Sequence, residues 1–183
     1  MGPRLRGDDD SFCGNGHAMN AHLRPGVIAA VAVLVLDQLT KLWLLYVFDI
    51  AHRGAVTVTS FFDLVLAWNP GISFGWFQND GTTAQIVLML VKAVAVVVLA
   101  VWMARSRTLL ATLALGLIIG GAIGNAIDRF AYGAVVDFAL FHVQIGGNTF
   151  NWYVFNLADV AIVAGVAALL YDSLLGVPAA KAP

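Results

Sequence analysis

Gly120–Phe138 reads GGAIGNAIDRFAYGAVVDF and closes a long apolar run that begins at Leu109. Asn125, Asp128, Arg129 and Asp137 all fall within it. Ionisable groups at the end of a membrane-length apolar segment are costly, so they face a protein interior or a watery cavity and mark a functional site. Gly121, Asn125 and Asp128 recur at i, i+4 and i+7, which puts them on one face of a helix. Arg129 sits beside that face. Gly133 predicts the end of the helix, and Val135–Phe138 reads as a short extended piece carrying one carboxylate, Asp137.

Composition supports the membrane reading. Of 183 residues, 60% are hydrophobic and 11% charged, and the mean hydropathy is +0.84. Soluble domains are nearer half apolar and a quarter charged. The chain is therefore expected to be an α-helical integral membrane protein. The single cysteine, Cys13, excludes an intrachain disulfide framework. His17, His22, His52 and His142 lack ligand spacing, so no metal and no cofactor are expected.

Four segments approach the roughly 20 apolar residues that cross a bilayer: Pro25–Phe48, Thr83–Ala104, Leu109–Phe130 and Asn156–Leu175. Only Arg105–Thr108 joins the second to the third, which makes them an antiparallel hairpin. The expected organisation is a disordered tail over 1–24, a four-helix membrane domain over 25–176 and a short tail over 177–183. Arg4, Arg6, Arg24, Arg105, Arg107 and Lys181, six of ten basic residues, fall on one side. Both termini are then expected to be cytoplasmic. The longer connections, Asp49–Thr82 and Ala131–Phe155, lie on the outer face. Ala55–Trp68 reads as a strand. Phe141–Ile145 and Thr149–Val154, around Gly146-Gly147-Asn148, read as a β-hairpin. These connections are rich in aromatics, Phe74, Trp76, Phe77 and Trp152 among them, which suits a small sheet or loop cap on the outer bilayer surface.

Three further stretches carry polar chemistry. In Asp37-Gln38-Leu39-Thr40-Lys41 the acid and base are spaced i, i+4, which suits either a self-neutralising pair or a group that orients substrate. Asn69-Pro70-Gly71 marks a turn after a strand. Asn69 either only makes that turn or points its amide at a substrate carbonyl. Asn156-Leu157-Ala158-Asp159 has the form of a helix cap, with Asn156 at the N-cap and an acid at the third helical position. Asn125, Asp128 and Arg129 are open to a structural network or to a functional one, and Arg129 is expected to find an acidic partner in Asp128 or Asp137.

What favours function is the meeting of Asp137 and Asp159 at one edge of the membrane. Two close carboxylates do not both ionise cheaply, so one keeps a proton and one acts as base. That is aspartyl-protease chemistry. The N-terminus of the last helix favours an ionised Asp159, leaving Asp137 as the protonated partner.

Taken together and in order, DQLTK (Asp37–Lys41), NPGISFG (Asn69–Gly75), GNAIDR with VVDF (Gly124–Phe138) and FNLAD (Phe155–Asp159) resemble the lipoprotein signal peptidases, or signal peptidase II. The resemblance covers about Pro25 to Leu175. It implies a four-helix, globomycin-sensitive aspartic endopeptidase of the bacterial inner membrane, with its active site near the extracytoplasmic face. Its substrates would be diacylglyceryl-modified prolipoproteins, cut just before the lipidated cysteine. By resemblance Asp137 and Asp159 are the catalytic pair. Asp37, Lys41, Asn69, Gly71, Gly121, Asn125, Asp128, Arg129, Asn156 and Ala158 would surround the pair, bind substrate or hold the fold. Substrate and membrane lipid are the expected partners, nucleic acid is not, and a monomer is expected. The long polar tail and the Phe141–Tyr153 hairpin depart from the family pattern.

Rival classes fit less well. A channel or transporter needs polar groups through the full depth of the bilayer, whereas most here gather at one edge and Lys92 is the only ionisable residue in its span. A structural subunit does not account for two acidic motifs at one level. The Gly-x-Gly-Asp motif of presenilin-like proteases is absent.

Overall fold

The structure is a computed structural model that describes residues 15–71 and 81–175. Helix α1 spans Asn15–Leu42 and runs into a π-helical turn, Trp43–Val47. A single helical turn, α2 (Ile50–Arg53), leads to strands β1 (Val56–Thr59) and β2 (Phe62–Asn69). Helices α3 (Gly81–Arg105) and α4 (Leu109–Tyr132) follow, then strands β3 (Val135–Ile145) and β4 (Asn148–Asn151), and last α5 (Leu157–Leu175).

Helix α4 is the axis of the bundle. Eleven of its residues are buried, from Ala111 to Asp128. Small side chains allow this, since Gly116 and Gly120 bring its backbone against Gly26 and Ala30 of α1. Leu115 and Ile119 pack with Met103 of α3, and Leu23 of α1 and Leu169 of α5 lean on the same cluster. The outward faces of α1, α3 and α5 expose apolar side chains instead, for example Ile28, Val31, Val97, Val98, Val163 and Leu170. That inversion of the soluble pattern is what a lipid solvent selects.

Three helices among the described residues are long and apolar enough to cross a membrane: His22–Val47, Leu109–Tyr132 and Leu157–Leu174. The helical bounds of α3, α4 and α5 fall within two residues of those expected from the sequence. The first helix differs. Residues 15–24, expected in a disordered tail, are helical, and α1 carries Pro25 in its interior. Packing of Leu23 on the Met103 cluster gives this turn a tertiary anchor that composition does not reveal.

The four strands form one antiparallel sheet in the order β1-β2-β3-β4. Ala55–Trp68, read as a single strand, is instead a hairpin that turns at Ser60-Phe61. The Gly146-Gly147 turn is as expected, both glycines having positive φ (59° and 83°). Val135–Phe138 is not an isolated extended piece but the start of an 11-residue strand. Its first five residues are all buried, because β2 flanks it and helix ends cover it. Leu44, Ile50, Phe138 and Ala139 form a second core between the sheet and the end of α1. Phe62, Phe141 and Phe155 pack against one another with tilted rings, their centroids 5.2 and 5.5 Å apart.

Candidate active site

Five elements deliver polar groups to one level. The C-terminal part of α1 brings Asp37, Gln38 and Lys41, and the end of α4 brings Asn125, Asp128 and Arg129. The β2–β3 pair brings Asn69 and Asp137, and the start of α5 brings Asn156 and Asp159. The strand register matters here. Ala67 pairs with Asp137 and Asn69 with Val135, so the end of β2 lies against the start of β3.

Lys41 is the centre of the first cluster. Its ammonium lies 2.8 Å from Asp37 and 2.7 Å from Asp128, and all three residues are at most 2% exposed. It also donates to the Asn125 side-chain oxygen at 3.2 Å. The two carboxylates also fasten other elements. Asp37 Oδ1 accepts the Ala158 N–H at the start of α5 (3.0 Å), while Asp128 Oδ2, the oxygen that meets Lys41, also accepts the Val136 N–H of β3 (3.2 Å). Gln38 donates to Asp128 (2.9 Å) and to the Gly124 carbonyl (3.2 Å). Gly124 is required by this crowding, since a Cβ there would lie 2.6 Å from Asp37 Oδ2. Gly121 is required by α5, because its Cβ would lie 2.5 Å from the Ala158 carbonyl.

Asp137 and Asp159 form the second cluster, linked by amides rather than by a cation. Asn156 Nδ2 donates to Asp137 Oδ1 at 2.7 Å and to Asn125 Oδ1 at 3.0 Å. Asn125 Nδ2 donates to Asp159 Oδ1 at 2.9 Å. Asn69 Nδ2 donates to Asp137 Oδ2 at 3.0 Å, while its Oδ1 accepts the Gly71 N–H at 2.9 Å. Asn69 therefore makes the expected turn and also addresses an aspartate. Asn156 and Asp159 form a reciprocal capping box: the Asp159 N–H donates to Asn156 Oδ1 (3.0 Å) and the Asn156 N–H to Asp159 Oδ2 (3.2 Å). The helix cap read from sequence is real, and its Asn156 also reaches Asp137.

Asp137 is held above the ordinary carboxylate range. Burial is the main cause and the negative charge of Asp159 adds to it, against the stabilising amides of Asn69 and Asn156 and the distant charge of Lys41. Burial and the Asp159 charge thus shift Asp137 toward protonation relative to a free carboxyl, beside an aspartate seated on a helix N-terminus.

Arg129 departs from expectation. Among the described residues it forms no ion pair; Asp128 is taken by Lys41, and Arg129 Nη1 donates to the Asn125 carbonyl at 3.1 Å. Adjacent helical residues point about 100° apart, so Asp128 and Arg129 do not face each other. The guanidinium lies against Gly71, where a Cβ would meet it at 2.9 Å, and Gly71 itself has φ +76°. All twelve residues singled out from the sequence thus gather at this level. Sequence reasoning misses Gln38 as a site residue, and the signal for it is an amide flanked by two ionisable residues inside an apolar helix. Ile72–Gly75 of the NPGISFG motif, with Phe74, Trp76 and Phe77, lie outside the described residues.

The comparisons with known proteins agree with one another. The signal peptidase (SPase) II family model matches residues 29–175. A lipoprotein signal peptidase of Nitrobacter hamburgensis is 73% identical over 161 residues, covering 88% of this chain and 98% of that one. One from Rhodopseudomonas palustris is 71% identical over the same length and coverage. A solved bacterial membrane enzyme superposes with a TM-score of 0.65 at 26% identity, covering 88% of this chain and 95% of the other. On these matches the chain belongs to the signal peptidase II family.

Proposed function

We propose that the chain is an aspartic endopeptidase that removes the signal peptide from diacylglyceryl-modified prolipoproteins, cutting before the lipidated cysteine. The observation that carries this is the Asp137–Asn156–Asn125–Asp159 chain of hydrogen bonds, two carboxylates joined by amides with no cation between them. Asp159, on the helix N-terminus, serves as base and takes a proton from the attacking water. Asp137, carrying the other proton, donates it to the scissile carbonyl oxygen as the water oxygen bonds to the carbonyl carbon. The tetrahedral intermediate then collapses. The C–N bond breaks, Asp159 gives its proton to the leaving amine, and Asp137 recovers its proton as the carbonyl reforms.

In this reading α3 is the fourth membrane span, the sheet lies on the extracytoplasmic side and both termini are cytoplasmic. An apolar groove of about 460 Å³ runs between α3 and α4, bounded by Lys92, Ile123, Ala126 and Arg129. It suits an acyl chain or the signal helix arriving sideways from the bilayer, with Arg129 and Asn69 orienting the peptide. The test is cleavage of a diacylglyceryl-modified prolipoprotein by the purified protein in detergent, beside Asp137→Asn and Asp159→Asn shown to be folded. Cleavage by the parent and loss in both variants is expected. Cleavage that survives in either variant would overturn the assignment.

A further inference from the structure

A second cavity lies at the end of the bundle away from Asp137 and Asp159. It measures about 630 Å³ and sits between the α3–α4 connection and the last turns of α5. Its walls are apolar, with Trp102, Leu169 and Leu170 among them, and its rim carries Arg105 and Arg107. Neither arginine makes an ion pair among the described residues. The one acid at the rim, Asp172, accepts the Thr108 hydroxyl at 3.1 and 3.3 Å, beside the N-terminus of α4. That carboxylate is engaged with the helix cap, and the two guanidinium groups remain available to an outside anion.

We propose that this cavity binds an anionic phospholipid, its phosphodiester headgroup held by Arg105 and Arg107 and one acyl chain lying along Trp102 and Leu170. The position fits the chemistry, since the cavity straddles the ends of apolar helices, where headgroups meet acyl chains. Basic pockets between membrane helices recognise such headgroups through paired guanidinium–phosphate hydrogen bonds. A surface scatter of basic residues would draw anionic lipid without shape. Here the arginines border an apolar recess with a tryptophan in its wall, which selects a molecule that is charged at one end and apolar at the other. The site owes nothing to the aspartate pair and stands whether or not the chain cleaves prolipoproteins.

Trp102 supplies the readout. The purified full chain in neutral detergent is titrated with brominated phosphatidylglycerol or brominated phosphatidylcholine. The Trp102 signal is taken as the difference between the parent and Trp102→Phe. Half-quenching is expected at roughly thirtyfold less phosphatidylglycerol than phosphatidylcholine, the preference that two surface arginines confer. Arg105→Gln with Arg107→Gln should erase the preference, and Arg105→Lys with Arg107→Lys should keep most of it. Ser173→Glu, which adds a carboxylate to the rim and leaves the arginines in place, should also erase it, so the outcome does not depend on the glutamine pair folding. Equal quenching by the two lipids, or a preference that survives both Ser173→Glu and the glutamine pair, would overturn the proposal. Excess inorganic phosphate should leave quenching unchanged; displacement of the lipid by phosphate would make this a free-anion site and overturn the lipid assignment.

Discussion

The molecule holds two pairs of aspartates within one polar layer, and they are built in opposite ways. Asp37 and Asp128 share Lys41, and every oxygen of the pair is engaged by the cation, a side-chain amide or a backbone N–H. Asp137 and Asp159 are joined through Asn156 and Asn125, which donate hydrogen bonds but carry no charge. The first pair is bridged by a cation and sealed from solvent. The second is left with two carboxylates, no cation between them and a raised Asp137. The same residue type thus fastens elements in one place and, in the function proposed here, carries a movable proton in the other. What separates the roles is the identity of the bridging residue.

This contrast can be broken experimentally. The largest effect on activity is expected at the amide-bridged pair. Asp159→Asn should lower the cleavage rate by roughly 10²- to 10⁴-fold, the usual worth of a general acid–base group, without reducing the amount of folded protein recovered in detergent. Lys41→Met should do the reverse. It strands two buried carboxylates, so about 3–5 kcal/mol of stability should be lost, read as a fall in thermal midpoint or as aggregation on size exclusion. Gly124→Ala probes how tightly the compensated pair is packed. Forcing a methyl against Asp37 should cost about 1–3 kcal/mol, measured in the same melt. The gentlest test is the pH profile of Asn69→Ala. The Asn69 amide favours the ionised form of Asp137, so its removal should raise that carboxyl further. The alkaline limb of the cleavage profile, where the Asp137 proton is lost, should then move to higher pH; a move to lower pH would contradict the assignment of the proton to Asp137.

The sequence makes α3, α4 and α5 legible because apolar length and Gly, Asn and Arg punctuation are local signals. It also reveals the Asn156 cap and the Gly133 stop, which ends α4 with φ +76°. The individual aspartates stand out because charges are rare in apolar segments. Less visible are the partnerships. Asp37–Lys41 is readable as an i, i+4 pair, but the closer approach of Lys41 to Asp128 joins two different helices, which no local spacing encodes. The β1–β2 hairpin is hidden because Ser60-Phe61 lacks the glycine or asparagine that announces a tight turn. The π-helical turn at Trp43–Val47 carries no local breaker in its sequence, and its Leu44 and Leu45 pack into the core beneath the sheet. Gln38 escapes notice because an uncharged amide raises no alarm until its three acceptors are in view.

The most direct test of the contrast is the pH dependence of stability of Asp137→Asn, measured beside its cleavage activity. In the parent, a raised carboxyl is stable while protonated. As pH rises past the unfolded-state value the unfolded chain ionises first, so stability falls until the folded carboxyl also ionises. The account predicts that Asp137→Asn is folded and inactive, and that the variant lacks this decline between acid and neutral pH, so it is at least as stable as the parent at neutral pH. A variant that still cleaves, or one that unfolds as Lys41→Met is expected to, would show that Asp137 is a fastener like Asp37 and Asp128.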